Sequence, residues 1–203
     1  MGTNKCLLDL DGASLVARVV SVLAATTARV RLVGKEQNAP MWARESEQDD
    51  VQAAFVADVY RAADGIPPQS ALTGLHAALW HARTPWVVVI ACDLPFVTTD
   101  LVERLSLMRA AREGIEAVVP VQPDGRRQPL CALYRRTPCL RRATEALDSG
   151  DYELNAFLRR LRTQEVRAHE VGDLPGARRF FVNLNTPEEY EQVTMNDERG
   201  TVN

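Results

Sequence analysis

The sequence predicts a three-layer α/β/α sandwich, in which helices cover both faces of a mostly parallel sheet. Two observations carry this prediction. Strand-like and helix-like segments alternate along the 203 residues, which is the order that builds such a sheet. Residues 86–92, with the sequence WVVVIAC, are apolar without interruption, as is typical of a strand buried on both faces. Ligands of these sheets bind beyond the carboxyl ends of the strands, so residues that directly follow strands are the candidates for function.

The first half of the chain carries three helix signals and three strand signals. In the first of these helices the apolar residues fall on one face. Ser70 stands at a capping position before the second helix, and Thr98 or Thr99 before the third. Residues 35–56 are polar and fit no single element, except for short helices. The predicted helices cover 14–25, 70–83 and 98–112, and the predicted strands cover 30–33, 58–62 and 86–92.

The second half continues the alternation. Pro138 suits the first position of a helix, and Thr186 with Glu189 has the pattern of a capping box. One domain is predicted over 1–193, and 194–203 is predicted to be a disordered tail. The predicted strands cover 117–121, 130–134 and 165–171, and the predicted helices begin at 137, 155 and 186.

Composition excludes several classes of protein. A net charge of −3 and a pI near 5.7 argue against a nucleic-acid-binding protein, which usually has a basic excess. The longest apolar runs are far shorter than the roughly 20 residues of a spanning helix, and no signal-peptide pattern precedes residue 10. The four cysteines form no CxxC pair, which predicts buried free thiols in the reducing cytoplasm.

Four residues stand where chemistry is expected. Asp93 directly follows the buried strand, so its carboxylate suits a magnesium ion or a turn before Pro95. Lys5 can neutralise a phosphate oxygen, or it is a solvated lysine. Asp64 follows a strand-like segment and suits a ribose or base, or a turn. Gly74 costs about 1 kcal/mol in a helix, which indicates either the close approach of a ligand or tight helix packing.

Two further segments are polar in a suggestive pattern. Residues 125–130, GRRQPL, resemble a hairpin that carries guanidinium groups toward an anion, or equally an exposed basic turn. Asn183 and Asn185 are amides one residue apart, which suit either a polar heterocycle or a turn stabilised by asparagine.

Five segments together resemble the molybdenum cofactor guanylyltransferase family of MobA-like nucleotidyltransferases. MGTNKCLL at 1–8 resembles the end of a signature in which LAGGxSxR runs into MGxxK. The others are LTGL at 72–75, ACDLPF at 91–96, RQPLCALY at 127–134 and FFVNLNTPE at 180–188. They keep the family order, and five matches in order are far more specific than any one of them.

The resemblance implies a fold, a reaction and a set of roles. The fold is Rossmann-like, and the reaction transfers GMP from GTP to the phosphate of molybdopterin with release of pyrophosphate. Lys5 and Asp93 are implied to be catalytic and, with Asp64 and Gly74, to bind the nucleotide, while Asp93 binds Mg²⁺ or, as an alternative, Mn²⁺. Asn183 and Asn185 are implied to lie on the pterin side.

The partners follow from the same resemblance. GTP and the molybdenum cofactor are the implied ligands, and proteins that deliver the cofactor to molybdoenzymes are further candidates. Neither a nucleic acid nor a membrane is expected as a partner. The protein is expected to be a monomer or a weak homo-oligomer.

The chain departs from the family pattern in three places. The LAGGxSxR stretch is not in the sequence, so we expect an N-terminally truncated form in which the first strand and its glycine-rich loop are missing. Ser70-Ala71 stand where the family has Gly-Pro, and Val33-Gly34 stand where it often has asparagine. Two rival functions therefore stay open: a related nucleotidyltransferase that uses CTP or a sugar phosphate, and a non-catalytic protein that binds pterin or partner enzymes.

Overall fold

The computed structural model describes residues 5–34, 53–57, 70–110 and 113–183. The strand predicted over 58–62, the helix predicted from 186, the candidate residues Asp64 and Asn185, and the tail from 194 lie outside these residues. The division into one domain and a tail stays a prediction.

The described strands fall into a four-stranded sheet, a parallel pair and a short hairpin. The four-stranded sheet has the order β5-β7-β6-β8, and the pair consists of β3 and β4. Strand β7 runs antiparallel to both of its neighbours, whereas β6 and β8 are parallel. The α/β class is confirmed, with a sheet of mixed direction. The strands are β1 (Asp9–Leu10), β2 (Ala13–Ser14), β3 (Val30–Gly34), β4 (Ala53–Ala57), β5 (Trp86–Ile90), β6 (Ala117–Val121), β7 (Cys131–Arg135) and β8 (Thr163–Arg167).

The helices begin mostly where the sequence places a capping side chain. The hydroxyl groups of Ser14, Ser70 and Thr98 each accept a hydrogen bond from a backbone N–H three residues on, which satisfies a donor that a helix start leaves unpaired. The predicted cap at Ser70 is confirmed, and of the two candidates Thr98 and Thr99 the structure selects Thr98. The helices are α1 (Leu15–Thr26), α2 (Ala71–His81), α3 (Thr99–Met108), α4 (Arg136–Asp148) and α5 (Leu154–Arg159).

Three elements differ from their predictions, of which strand β8 (Thr163–Arg167) begins and ends before the predicted 165–171. Helix α4 begins at Arg136, so Pro138 is its third residue and not its first; a proline in the first turn needs no intrahelical N–H at either position. Strand β4 lies within and just beyond the polar stretch for which only short helices were considered. Its backbone pairs in register with β3 from Val30 to Gly34, and a long-range pairing of this kind leaves little trace in local polarity.

Alternate side chains of the central strands face two helical layers. On β7, Ala132 and Tyr134 pack with α2, α4 and α5. Cys131 and Leu133 pack on the other face with α3 and with Phe180. This period of two along a buried strand produces the predicted three-layer sandwich.

Strand β5 is not buried on both faces, contrary to its sequence. All five of its residues are only partly buried. Within the described residues β5 is hydrogen-bonded to β7 alone and β3 to β4 alone, so one edge of each strand is unpaired. Apolar residues of both strands instead line two adjoining cavities of about 530 and 310 Å³, which explains their partial exposure.

A buried carboxylate directly before strand β6, that of Glu116, connects the sheet to the helices. The side chain of Glu116 is only 4% exposed, and its Oε1 lies 3.3 Å from Nη2 of Arg142. Its Oε2 accepts the backbone N–H of Arg162 at 2.9 Å. The Glu116 carbonyl also accepts the N–H of Arg135 at 2.7 Å. One residue thus joins β6, β7, α4 and the start of β8.

We expect Glu116→Ala to lower the free energy of unfolding by about 3 kcal/mol, because it leaves Arg142 and the Arg162 N–H without their acceptor. Urea unfolding followed by circular dichroism measures this change. Glu145→Ala is the matched control, since Glu145 forms an exposed pair with Arg141 in the same helix and such a pair contributes only about 0.3–0.5 kcal/mol. Equal losses in the two variants contradict the structural role of Glu116.

Candidate active site at the carboxyl end of strand β5

Asp93 lies in a turn that the backbone holds in place. The N–H of Leu94 donates to the carbonyl of Ala91 at 3.2 Å, and the N–H of Ala91 donates to the carbonyl of Leu130 at 2.7 Å. Leu94 is 2% exposed and packs in the core below α3. The main chain and a buried leucine therefore fix where Asp93 leaves the end of β5.

Lys5 begins a short 3₁₀ turn, Lys5–Leu7, which a disulfide joins to the same strand end. Cys6 and Cys92 are bonded, with their Cα atoms 5.6 Å apart. Successive Cα atoms are 3.8 Å apart, so the Cα atoms of Lys5 and Asp93 are at most about 13 Å from one another. The structure thus brings the two predicted catalytic residues to one place.

The prediction of free thiols is wrong for Cys6 and Cys92. It is confirmed for Cys131 and Cys139, which are buried and unpaired. The bonded pair is separated by 86 residues, a spacing that matches no sequence motif for a disulfide. A usable signal was nevertheless present, because each of the two cysteines is a direct neighbour of a predicted catalytic residue.

A hairpin and the last described residues close the site from another side. Strands β1 and β2 are joined by Asp11 and Gly12, both with positive φ, as a two-residue hairpin requires. The hairpin and its flanks pack with the loop after Asp93 and with the segment that precedes Asn183, in one apolar cluster made by Leu8, Leu10, Leu15, Phe96 and Val182.

Asn183 is therefore held near the loop that contains Asp93. It follows Val182 of that cluster directly and is itself exposed. The guanidinium carbon of Arg179 lies 4.8 Å from the centre of the Phe96 ring, a distance typical of a cation–π contact. Sequence reasoning did not single out Arg179 or Phe96, since both gain their meaning only from this contact.

Gly74 faces the smaller cavity, the one of about 310 Å³ that Cys6, Ala91, Cys92 and Leu130 also line. A Cβ atom built on Gly74 meets no described atom within 4 Å. Tight helix packing, one of the two explanations for this glycine, is therefore wrong for the described part of the chain. The other explanation, the approach of a ligand, stays a prediction.

The smaller of the two cavities is the candidate nucleotide site. The larger, of about 530 Å³, extends toward Trp86 and the start of β5, away from the strand end where Asp93 lies. A volume near 310 Å³ is at the lower end of the range of ligand pockets.

The arginines of the hairpin between β6 and β7 are engaged by acidic side chains. Nε of Arg126 lies 2.6 Å from Oδ2 of Asp124, and Nη2 of Arg127 lies 2.6 Å from Oε1 of Glu165. The backbone N–H and then the guanidinium of Arg126 hold the pKa of Asp124 below its usual range. Both arginines thus serve the hairpin and its contact with β8.

The donor set near Asp93 suits a metal that depends on its substrate. Among the described residues there is no group of three or more His, Cys, Asp or Glu side chains that could hold an ion. Magnesium, however, usually takes one or two protein carboxylates and completes its shell with phosphate oxygens and water. A single carboxylate at the strand end fits that mode. In the same part of the chain, none of the helices has the length and apolar content needed to cross a membrane.

Solved structures share this fold. Molybdopterin-guanine dinucleotide biosynthesis protein A from Archaeoglobus fulgidus superimposes with a TM-score of 0.75 at 22% identity, over 98% of this chain and 92% of that one. The 2-C-methyl-D-erythritol 4-phosphate cytidylyltransferase from Thermus thermophilus gives 0.65 at 15% identity, over 96% and 94%. These likenesses define the fold of the chain as one of the α/β sandwich class.

The sequence places it within that class. The chain belongs to the family of the MobA-like NTP transferase domain, whose model matches residues 1–167. A molybdenum cofactor guanylyltransferase from Vibrio parahaemolyticus is 31% identical over 192 residues, which cover 94% of this chain and 86% of the relative. One from Vibrio vulnificus is 32% identical with the same coverage. The resemblance read from the five segments is confirmed.

Gly74→Ala tests what the cavity beside α2 is for. Alanine is better than glycine inside a helix by about 1 kcal/mol, and the added methyl group meets no described atom. We therefore expect a higher free energy of unfolding by about that amount, with weaker nucleotide binding because the methyl enters the cavity. Urea unfolding and calorimetric titration with GTP measure the two effects.

Ala78→Gly is the control for this variant, since it changes the same helix at another residue of the cavity wall and removes a methyl group. It is expected to lower stability without weakening nucleotide binding. Unchanged GTP affinity in Gly74→Ala contradicts the placement of a ligand beside Gly74.

Proposed function

We propose that this chain transfers GMP from GTP to molybdopterin and releases pyrophosphate, so that the guanine dinucleotide form of the molybdenum cofactor is made. One observation carries the proposal. All five segments of the resemblance have residues at one end of β5, around a single cavity or the apolar cluster beside it. The names of the relatives support the same reaction.

The chemistry is an in-line displacement at the α-phosphorus of GTP. A phosphate oxygen of molybdopterin forms the new P–O bond, and the bond between the α-phosphorus and the oxygen that bridges to the β-phosphate breaks. The electron pair of that bond leaves with pyrophosphate. A phosphate nucleophile is already ionised at neutral pH, so the site needs no general base. Catalysis then rests on positioning and on the stabilisation of charge.

The residues have distinct roles in this proposal. Lys5 balances negative charge on the triphosphate and on the departing pyrophosphate. Asp93 is the protein ligand of a Mg²⁺ ion, or of Mn²⁺ in its place. Gly74 lets the nucleotide approach α2, and Asp64 contacts the guanosine. Asn183, with Asn185, lies on the pterin side.

The metal supplies one kind of chemistry when bound: it neutralises charge on the phosphate oxygens of GTP. The structural support is the fixed turn after β5, in which backbone hydrogen bonds and buried Leu94 set the position of the Asp93 main chain. The cytoplasm as location, cofactor-delivery proteins as partners and the monomer or weak oligomer belong to this proposal as well.

The reaction is tested with GTP labelled at the α- or the γ-phosphate, together with molybdopterin and Mg²⁺. Label at the α-position is expected in the pterin product, and label at the γ-position in pyrophosphate. CTP in place of GTP tests the cytidylyl alternative. A chain that binds molybdopterin but transfers neither nucleotide is a binding protein, and the proposal is then wrong.

Asp93→Asn is expected to reduce transfer at least about 100-fold, because the amide is a much weaker magnesium ligand than the carboxylate. The two side chains have the same shape, so the melting temperature is expected to stay unchanged. Asp148→Asn, the same substitution at the exposed end of α4, is the matched control and should retain full transfer. Normal turnover by Asp93→Asn removes the metal role from this residue.

The scarcity of lysine makes a direct test of Lys5 possible. The chain has only two lysines, Lys5 and Lys35. Acylation by an N-hydroxysuccinimide ester, quantified by mass spectrometry, is expected to label Lys5 at least about fivefold more slowly when GTP and Mg²⁺ are present, since a bound phosphate covers the amine. Lys35 is the internal control and should be labelled equally in both states. Equal labelling of Lys5 in both states excludes its contact with the triphosphate.

A further inference from the structure

The Cys6–Cys92 disulfide lies between the two proposed catalytic residues. Cys6 follows Lys5, and Cys92 precedes Asp93. The bond joins the 3₁₀ turn Lys5–Leu7 to the end of β5 across 86 residues of chain. It is therefore a covalent connection between two parts of the proposed site that are far apart in sequence.

The noncovalent hold on this turn is modest. Cys6 and Leu7 are only partly buried, against a cluster that includes Val16 and Val20 of α1. Segments with few buried apolar contacts open locally at low free-energy cost. Without the disulfide, the position of Lys5 relative to Asp93 rests on such apolar contacts, including the cluster that contains Leu8 and Phe96.

The bond is also within reach of a reagent. Both of its cysteines are partly exposed and line the cavity assigned to the nucleotide. The other two cysteines, Cys131 and Cys139, are buried. Burial is the main cause that raises the pKa of their thiols to about 12. The chain thus has one accessible pair and two inert thiols.

We infer that Cys6 and Cys92 form a reversible thiol–disulfide site whose oxidised form fixes the Lys5 turn beside Asp93 and strengthens nucleotide binding. The effect on binding rests on the proposed function, whereas the existence of the site does not. In an intracellular protein an accessible disulfide of this kind is typically transient and redox-sensing. Preorganisation of a binding group improves affinity because less conformational entropy is lost when the ligand binds.

The redox step balances with a low-molecular-weight thiol or dithiol as reductant. One thiolate of the reductant attacks a sulfur of the disulfide, the S–S bond breaks, and the second sulfur leaves as a thiolate that takes up a proton. A second thiol group then resolves the mixed disulfide. Two electrons and two protons pass to the protein, which gains two thiols, and the reductant becomes a disulfide.

The first experiment tests the site without reference to its function. The native protein is alkylated with iodoacetamide at pH 8, before and after treatment with dithiothreitol, and intact mass is recorded. We expect no modification of the oxidised form and two modifications after reduction, at Cys6 and Cys92, because Cys131 and Cys139 are buried and protonated. Two modifications without reductant show that the disulfide does not form, and the inference is then wrong.

The second experiment measures what the bond does. Closing a loop of this length is expected to raise the melting temperature by about 10 °C in the oxidised form. The Kd for GTP with Mg²⁺, from calorimetric titration, is expected to be about tenfold lower in the oxidised than in the reduced protein. Cys6→Ser is the matched control, and its Kd and melting temperature should not respond to dithiothreitol.

The outcomes separate the inference from the proposed function. If the disulfide forms and GTP binds equally in both redox states, the inference about binding fails while the guanylyl-transfer proposal stands. If GTP binds in neither state although the alkylation pattern is as expected, the proposed function fails and the thiol–disulfide site stands. A response of Cys6→Ser to the reductant as large as that of the wild type overturns the assignment of the effect to this pair.

Discussion

The backbone pairing of β5 with β7 is the constraint on which the site depends. Five residue pairs in register, from Trp86 opposite Arg135 to Ile90 opposite Cys131, fix the strand along its whole length. One further hydrogen bond, from the N–H of Ala91 to the carbonyl of Leu130, extends this pairing to the residue before Cys92. The backbone of Cys92 and Asp93, which follows directly, is positioned by this ladder. On its second edge β5 has no hydrogen-bonded partner among the described residues, and the smaller cavity lies beside it.

An element of the fold could be predicted from the sequence where the interactions that determine it are local. Helices α1, α2 and α3 were predicted well, because caps such as Ser70 and Thr98 act within one turn of themselves. The direction of β7 was not predicted, because its pattern of apolar residues is compatible with either direction. Only the connection from β6 through the turn at Gly125 sets the direction. Strand β4 was not predicted either, because its pairing with β3 is a long-range property.

The candidate site divides in a similar way. Motif order located Lys5 and Asp93, and the structure brings them to one strand end. Three features of the site were not predicted from the sequence: the contact between Arg179 and Phe96, the Cys6–Cys92 bond and the lack of any described atom within 4 Å of a Cβ on Gly74. None of these has a spacing that recurs in chains generally. Each becomes visible only when segments far apart in sequence are seen to meet.

Gly74 lies beside the cavity at β5, where two locally destabilising features of the fold coincide. A glycine inside a helix costs about 1 kcal/mol against alanine, and no described neighbour needs the missing methyl group. The β5 residues that line the same cavity, Val88, Val89 and Ile90, are apolar and only partly buried, so the fold exposes surface there that a close-packed core would cover. Two destabilising features, a helical glycine and an uncovered strand edge, thus coincide at the strand end where Asp93 and the Lys5 turn meet. Proteins keep such local costs mainly where activity needs them, which supports the approach of a ligand to Gly74.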